Sequence, residues 1–351
     1  MYITYRITSL KQYNKLYEIL KNNSLDAEYK FYPEENTYKT HYLQRIGFNE
    51  IVLRKVFTKE QYKRPYMQIE ILFNPKKIIS DNSIKITKDK DIVSISNEFN
   101  EIIKEIDTTL PEFYYWTLKR IDYATYIITP YVKEYIKLFQ RGDKSSKYFN
   151  ELYDTKNKRR TQKKGSFYLH SKSATINFYD KEQERKDNKE KYNISEENIL
   201  SAKDTLRFEI QCDKSKTDYL KRKYKFETKQ VHQYLTLEES KKQILYYYKK
   251  CIRTGTYCNL AEAKKMINSD KYSTTRMKNT LKDVLDLVNK CRSIYKAREE
   301  FTGTKETFNS HLKELDRIGI NPVTIPERWN IKELDNPIKE IELKMSNDGD
   351  D

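Results

Sequence analysis

The apolar residues of this chain change their period part-way along, and that change restricts the fold more than any other feature. Up to Cys212 most apolar runs are short, and several alternate with polar residues. After about Gln230 they recur only at helical spacing. Strand side chains alternate between two faces, whereas helical ones return every three to four residues. Tyr2 to Thr8, Ile51 to Phe57, Tyr66 to Phe73, Leu118 to Ile128 and Thr205 to Cys212 therefore read as strands. Gly165 to His170 and Ala174 to Tyr179 read as a hairpin turning near Ser171-Lys172-Ser173. Leu10 to Leu20 and Ser94 to Ile106 read as amphipathic helices among them. Thr129-Pro130 looks like the cap and first-turn proline of a third helix, with Val132, Tyr135, Ile136 and Phe139 on one face.

Beyond Gln230, Thr236 and Glu239 have the spacing of a capping box. Ile244, Leu245, Tyr248 and Ile252 follow it; Met277 to Cys291 and Thr304 to Ile318 are further amphipathic stretches. The expected fold class is α+β: an antiparallel sheet with flanking helices at 1–229, then a mostly helical domain at 230–335. Residues 336–351 read as an acidic tail without structure. The stretch 182–204 is charged and poor in apolar residues, which suits a surface insertion or an exposed helix.

Lys and Arg number 68 against 52 acidic residues, a net charge of +16. A chain with that excess meets a polyanion, nucleic acid first and an anionic membrane surface second. No run of ~18 apolar residues is present to span a bilayer. Met1 to Leu10 lacks a basic segment followed by an apolar run, so the expected location is cytoplasmic. Cys212, Cys251, Cys258 and Cys291 are scattered, as reduced thiols would be. The 30 tyrosines match the bias of an AT-rich coding sequence; they permit base stacking without requiring it.

Three strands each carry an acid among apolar residues: Glu70 in Met67 to Leu72, Asp122 in Arg120 to Ala124, and Glu209 in Arg207 to Ile210. Arg120 and Arg207 stand two residues before their acids and so share a face with them. The plain account of each is a salt bridge on a solvated face. Carboxylates converging on a sheet otherwise need a positive partner, for which Mg²⁺ or Mn²⁺ suits oxygen ligands. In Ala174 to Lys181, alternation puts Tyr179 on one face with Asn177 and Lys181, and a cation beside a phenol favours the phenolate. His41, His170, His232 and His311 are far apart, and no phosphate-binding loop or nucleophile elbow is present. His170 is placed to be structural or to assist Tyr179.

The ordered set Ile69-Glu70 with Asn74-Pro75-Lys76-Lys77, Lys119-Arg120-Ile121-Asp122, Ile176 to Lys181 and Leu206-Arg207-Phe208-Glu209 resembles the filamentous-phage replication initiators of the gene-II/CRI family. More loosely it is similar to the Rep_trans initiators of rolling-circle plasmids. The resemblance spans roughly residues 50–325; the first 50 residues match poorly. It implies a nicking-endonuclease-like domain in which Tyr179 is the nucleophile, Asp122, Glu209 and Glu70 hold the metal, and Lys181, Arg120 and Arg207 screen the phosphate. The implied reaction is transesterification at one DNA phosphodiester, leaving tyrosine on the 5′ phosphate and a 3′ hydroxyl to prime rolling-circle replication. The implied partner is a replication origin, single-stranded or hairpin at the nick, with a host helicase and polymerase as candidate further partners. Glu182 and Glu184 are candidates to activate water in a closing step. Origin specificity is expected partly from basic residues on the later helices, among them Lys249, Arg253, Lys264, Lys265 and Lys278.

Three other readings compete. A non-enzymatic DNA-binding regulator of a mobile element predicts binding without cleavage. A conjugative relaxase shares the chemistry. An RNA-binding protein would stack bases on tyrosine and need no metal.

Overall fold

The chain is described by a computed structural model covering residues 1–24, 28–32, 35–57, 66–80, 87–144, 150–151, 153–154, 159–160, 165–192 and 194–346. Strands β1 (Tyr2–Ile7), β2 (Glu28–Tyr32), β3 (Glu35–Thr40), β4 (Phe48–Val56), β5 (Tyr66–Phe73) and β6 (Thr117–Ile128) come first, with helices α1 (Leu10–Asn22), α2 (Pro75–Ile79) and α3 (Asp91–Ile106) among them. Helix α4 (Val132–Phe139), short strands β7 (Asn150–Glu151), β8 (Tyr153–Asp154) and β9 (Arg159–Arg160), and the hairpin of β10 (Ser166–His170) and β11 (Ala174–Asp180) follow. Helices α5 (Lys181–Asp187), α6 (Lys189–Tyr192) and α7 (Glu196–Leu200) lead to β12 (Thr205–Cys212). The remainder is α8 (Lys214–Tyr224), α9 (Leu237–Cys251), β13 (Tyr257–Cys258), α10 (Leu260–Ser269), α11 (Thr275–Cys291), α12 (Ile294–Glu300), α13 (Lys305–Ile318), β14 (Glu333–Leu334) and α14 (Ile338–Lys344).

The chain divides into two compact units. The first holds Met1–Tyr123, Lys172–Ala174 and Gln211–Ser240; the second holds Ala124–Ser171, Thr175–Ile210 and Lys241–Asp351. The chain from Lys241 onward thus shares a unit with most of the β10–β11 hairpin.

In the first unit the antiparallel strand order is β2-β3-β4-β5-β1-β6. Ile3, Ile7, Leu53, Ile69, Ile71 and Phe73 are buried, as are Tyr13, Leu16 and Leu20 of α1 and Ile95, Phe99 and Ile103 of α3. Phe99 is the hub, with the rings of Phe48, Phe73, Phe113 and Trp116 centred 5.3 to 5.6 Å away. One irregularity bears on the chemistry. β1 pairs Tyr2 with Arg120 but Ile3 with Leu118, so β6 bulges at Lys119. The bulge leaves Lys119 and Arg120 both half-exposed between buried Leu118 and Ile121, where simple alternation would bury one of them.

In the second unit the order is β6-β12-β11-β10-β7. The hairpin register sets Ser166 opposite Tyr179 and Tyr168 opposite Asn177. The apolar face is built on Phe178 and Phe208, whose rings stack in parallel at 4.2 Å, with Phe139 4.7 Å from Phe178 and Tyr248 5.8 Å from Phe208. A Phe208→Ala change empties the centre of this cluster and is expected to cost about 3–5 kcal/mol, read as a lower denaturant midpoint at unchanged slope.

Buried tyrosines give the fold a pH limit. Burial pushes the phenols of Tyr248 and Tyr257 in the second unit, and Tyr123 in the first, well above their ordinary value. The folded state holds the neutral phenol, whereas the unfolded chain ionises it near ~10. The associated stability is whole below that pH and is lost as pH rises through it. Melting temperature is expected to fall steeply above about pH 10, followed by circular dichroism.

Two expectations are corrected. Residues 336–351 are not a structureless tail: α14 forms, because Ile338, Ile341 and Met345 lie on one helical face and are buried. Lys344 Nζ donates to the Tyr126 carbonyl at 3.2 Å, tying α14 to β6, while residues 347–351 lie outside the described residues. Thr129-Pro130 does not cap α4. The helix starts at Val132 with Tyr131 at the cap, and Thr129 Oγ1 accepts from the Tyr131 amide at 3.2 Å in a separate turn. The charged stretch 182–204 forms α5, α6 and α7, with Arg185 and Ile199 buried. No helix among the described residues is long and apolar enough to cross a membrane.

Candidate active site

Tyr179 is the last residue but one of β11, and its position follows from what surrounds it in sequence. Phe178 turns into the ring cluster, so Tyr179 takes the opposite face. Asp180 then ends the strand and caps α5, its Oδ1 accepting from the Gln183 amide at 3.0 Å. On β12 the same alternation buries Phe208 and turns Arg207 and Glu209 to the other side. Tyr179 Oη donates to Glu209 Oε1 at 2.7 Å, and Arg207 Nε donates to the same oxygen at 3.0 Å. Lys181 Nζ lies 5.6 Å from the Tyr179 ring centroid and 2.7 Å from Glu184 Oε2. Lys181 opens α5 and does not continue the strand, so its closeness to Tyr179 comes from the helix start and not from alternation.

The cluster is nearly dry, with Tyr179 only 8% exposed. Burial and then the Glu209 carboxylate push the phenol well above its ordinary value, with Arg207 opposing. Burial pulls the Lys181 ammonium down, against the Glu184 carboxylate. For the Arg207 guanidinium, burial acts downward, and the neighbouring Tyr179 and Glu209 more than offset it. The resting arrangement is therefore a protonated phenol bonded to a carboxylate that a buried guanidinium holds in place. Such a carboxylate is oriented to take the phenol proton.

The first unit places the other candidates. Arg120 grips Asp122 with two bonds of 2.9 Å, and the amino group of Met1 lies 3.8 Å from the same carboxylate. Glu70 is fully buried. Its carboxylate accepts from Lys119 Nζ at 2.6 Å, Gln68 Nε2 at 2.5 Å and the Tyr2 hydroxyl, with Arg54 at 3.7 Å. The bulge in β6 lets Lys119 serve Glu70 while Arg120 serves Asp122. Each acid expected to hold a metal thus carries its own cation already. No group of three or more His, Cys, Asp or Glu side chains is gathered at ligand spacing among the described residues. This donor set, as arranged, does not fit a resident divalent ion.

No protein-family model matches the chain, and no curated protein matches it by sequence. Among solved structures it is similar to one titled as a rolling circle replication initiator protein from Geobacillus stearothermophilus. The identity is 10% and the TM-score 0.27, over 63% of this chain and 76% of that one. A likeness of that size speaks neither for nor against an activity.

Sequence reasoning did not bring in Tyr168 or Arg185, and it gave Glu184 a different role from the partner of Lys181 that it is. Tyr168 hydrogen bonds with Asn177 and feels the charges of Glu209 and Glu184. Asn177 is 4% exposed, and its Oδ1 finds no hydrogen-bond partner among the described residues. Arg185 is buried, donating to Ser201 Oγ at 2.9 Å and to the Asn198 carbonyl, and so joins α5 to α7. The signal for Arg185 was its i+4 spacing from Lys181, which turns both to one side of α5. His170 bonds Thr175 Oγ1 at 2.8 Å, four positions along β10 from Ser166, the residue opposite Tyr179. Glu182 pairs with Lys186 at 2.5 Å.

Proposed function

We propose that this chain nicks and rejoins one DNA strand, with Tyr179 as nucleophile, as in initiation of rolling-circle replication. The observation that supports this reading is the Tyr179–Glu209–Arg207 chain of hydrogen bonds. The phenol oxygen attacks the phosphorus in line and a Tyr–phosphate bond forms. Its proton passes to Glu209, the bond from phosphorus to the 3′ oxygen breaks, and that oxygen takes a proton from solvent. Arg207, whose Nε holds Glu209, offers charge to the phosphate. The phosphotyrosine keeps the energy of the broken bond, so the reverse attack by a 3′ hydroxyl reseals the strand.

The divalent cation that the resemblance implies carries no step of this reaction. The test is incubation with single-stranded oligonucleotides, with and without Mg²⁺ or Mn²⁺, followed by denaturing electrophoresis. The reading requires a protein–DNA adduct at the 5′ phosphate.

One observation favours a DNA-binding protein without catalysis. Tyr224 Oη donates to Glu239 at 2.6 Å, and Tyr2 donates to Glu70, so a half-buried phenol bonded to a buried carboxylate also serves as a packing device in this chain. Binding without an adduct decides for that reading.

A further inference from the structure

We infer that helix α8, with Lys225 just beyond it, is a contact surface for the backbone of single-stranded DNA. Residues 214–229 carry seven basic side chains against two acidic ones. Thr217 and Leu220 are fully buried and seat the helix. Exposed around them are Lys214, Arg222 and Lys225, together with Tyr219, which is 49% exposed, and Lys221 lies half-exposed at the edge of the buried side. Among the described residues none of those four cations has a carboxylate partner. The nearby ion pair, Lys229 with Asp218 at 2.6 Å, does not involve them.

Several basic residues on other helices do have carboxylate partners. On α5, Lys181 pairs with Glu184 and Lys186 with Glu182. Among the later helices, where DNA contact was expected, Lys249 pairs with Glu342, Arg253 with Asp316, Lys264 with Asp286 and Lys265 with Glu262. A helix that needs only to face water gains from such partners. α8 also carries Lys214 and Lys216 in its first turn, behind Asp213 at the cap. Exposed cations that have no carboxylate partner, such as Lys214, Arg222 and Lys225, suit an external anion.

The aromatic residue selects the kind of anion. Tyr219 lies within the basic face, with Lys216 Nζ 5.3 Å from its ring centroid. An exposed ring among cations suits an unpaired base stacked beside its phosphates, which a duplex does not offer. Naming DNA as the polyanion rests on the nicking reading; the surface itself rests on α8.

The experiment uses the full-length chain carrying Tyr179→Phe, so that no covalent step intrudes. Binding of a labelled oligothymidylate is followed by fluorescence anisotropy across a salt series. The triple variant Lys214→Gln, Lys221→Gln, Arg222→Gln is expected to bind at least about tenfold more weakly at low salt, with a log–log salt slope shallower by about 2. Arg222→Gln alone, the milder change should the triple variant not fold, is expected to reduce the slope by about 0.7. Tyr219→Ala is expected to weaken binding about five- to a hundredfold. The ion-paired control Lys264→Gln, Lys265→Gln is expected to keep the parent slope. An unchanged slope in the α8 variants, an unaffected Tyr219→Ala protein, or tighter binding of duplex than of single strand overturns the inference. An absent adduct with the α8 effects intact removes the nicking reading and leaves the surface standing.

Discussion

The Tyr179→Phe protein is expected to give no DNA-linked band on a denaturing gel, where the parent gives one joined to the 5′ phosphate. The substitution removes one oxygen and keeps the ring. Glu209 loses the phenol but retains Arg207, so no carboxylate is left buried without a partner. The loss of the adduct is therefore chemical and not a symptom of unfolding, which circular dichroism of the same sample will show. An adduct that persists in this variant places the nucleophile on another residue and ends the Tyr179 reading.

Glu209→Gln is expected to slow adduct formation by about 100- to 10,000-fold, the span of a lost general base. The more diagnostic readout is the pH profile. Burial holds the Tyr179 phenol well above its ordinary value, so at neutral pH it does not ionise unaided. With Glu209 accepting the proton, the parent rate is expected to be nearly flat between about pH 7 and 9. Without it, ionisation must precede attack, and the rate should climb about tenfold per pH unit over the same span. A variant whose rate falls but whose profile stays flat would falsify the base role and leave Glu209 as a packing partner. Glutamine keeps the size and an acceptor oxygen, so geometry is held while basicity is removed.

The fold was largely legible where side chains alternate cleanly. Thr205 to Cys212 is a strand over the residues expected, and the hairpin turns at Ser171 to Ser173. Helix α8 escaped because only Thr217 and Leu220 of its eleven residues are buried, too few to print an apolar stripe on the sequence. The bulge at Lys119 escaped because it is a property of pairing with β1 and not of β6 alone. At the site, the arginine–acid spacing put Arg207 with Glu209 and Arg120 with Asp122 on shared faces, and they form the ion pairs of the plain account. The choice of Glu209 as partner for Tyr179 was out of reach. It depends on which strands lie side by side, and local periodicity carries no record of that.

Phe178 and Phe208 are each followed by a residue of the proposed site: Tyr179 after one, Glu209 after the other. The rings behind act as a clamp on the oxygens in front. A slide of either strand that drew the phenol from its acceptor would shear the stack by the same amount, so thrift in folding and accuracy in proton transfer are enforced by one contact. Substitutions at 178 and 208 should thus be tolerated less than at equally hidden positions elsewhere.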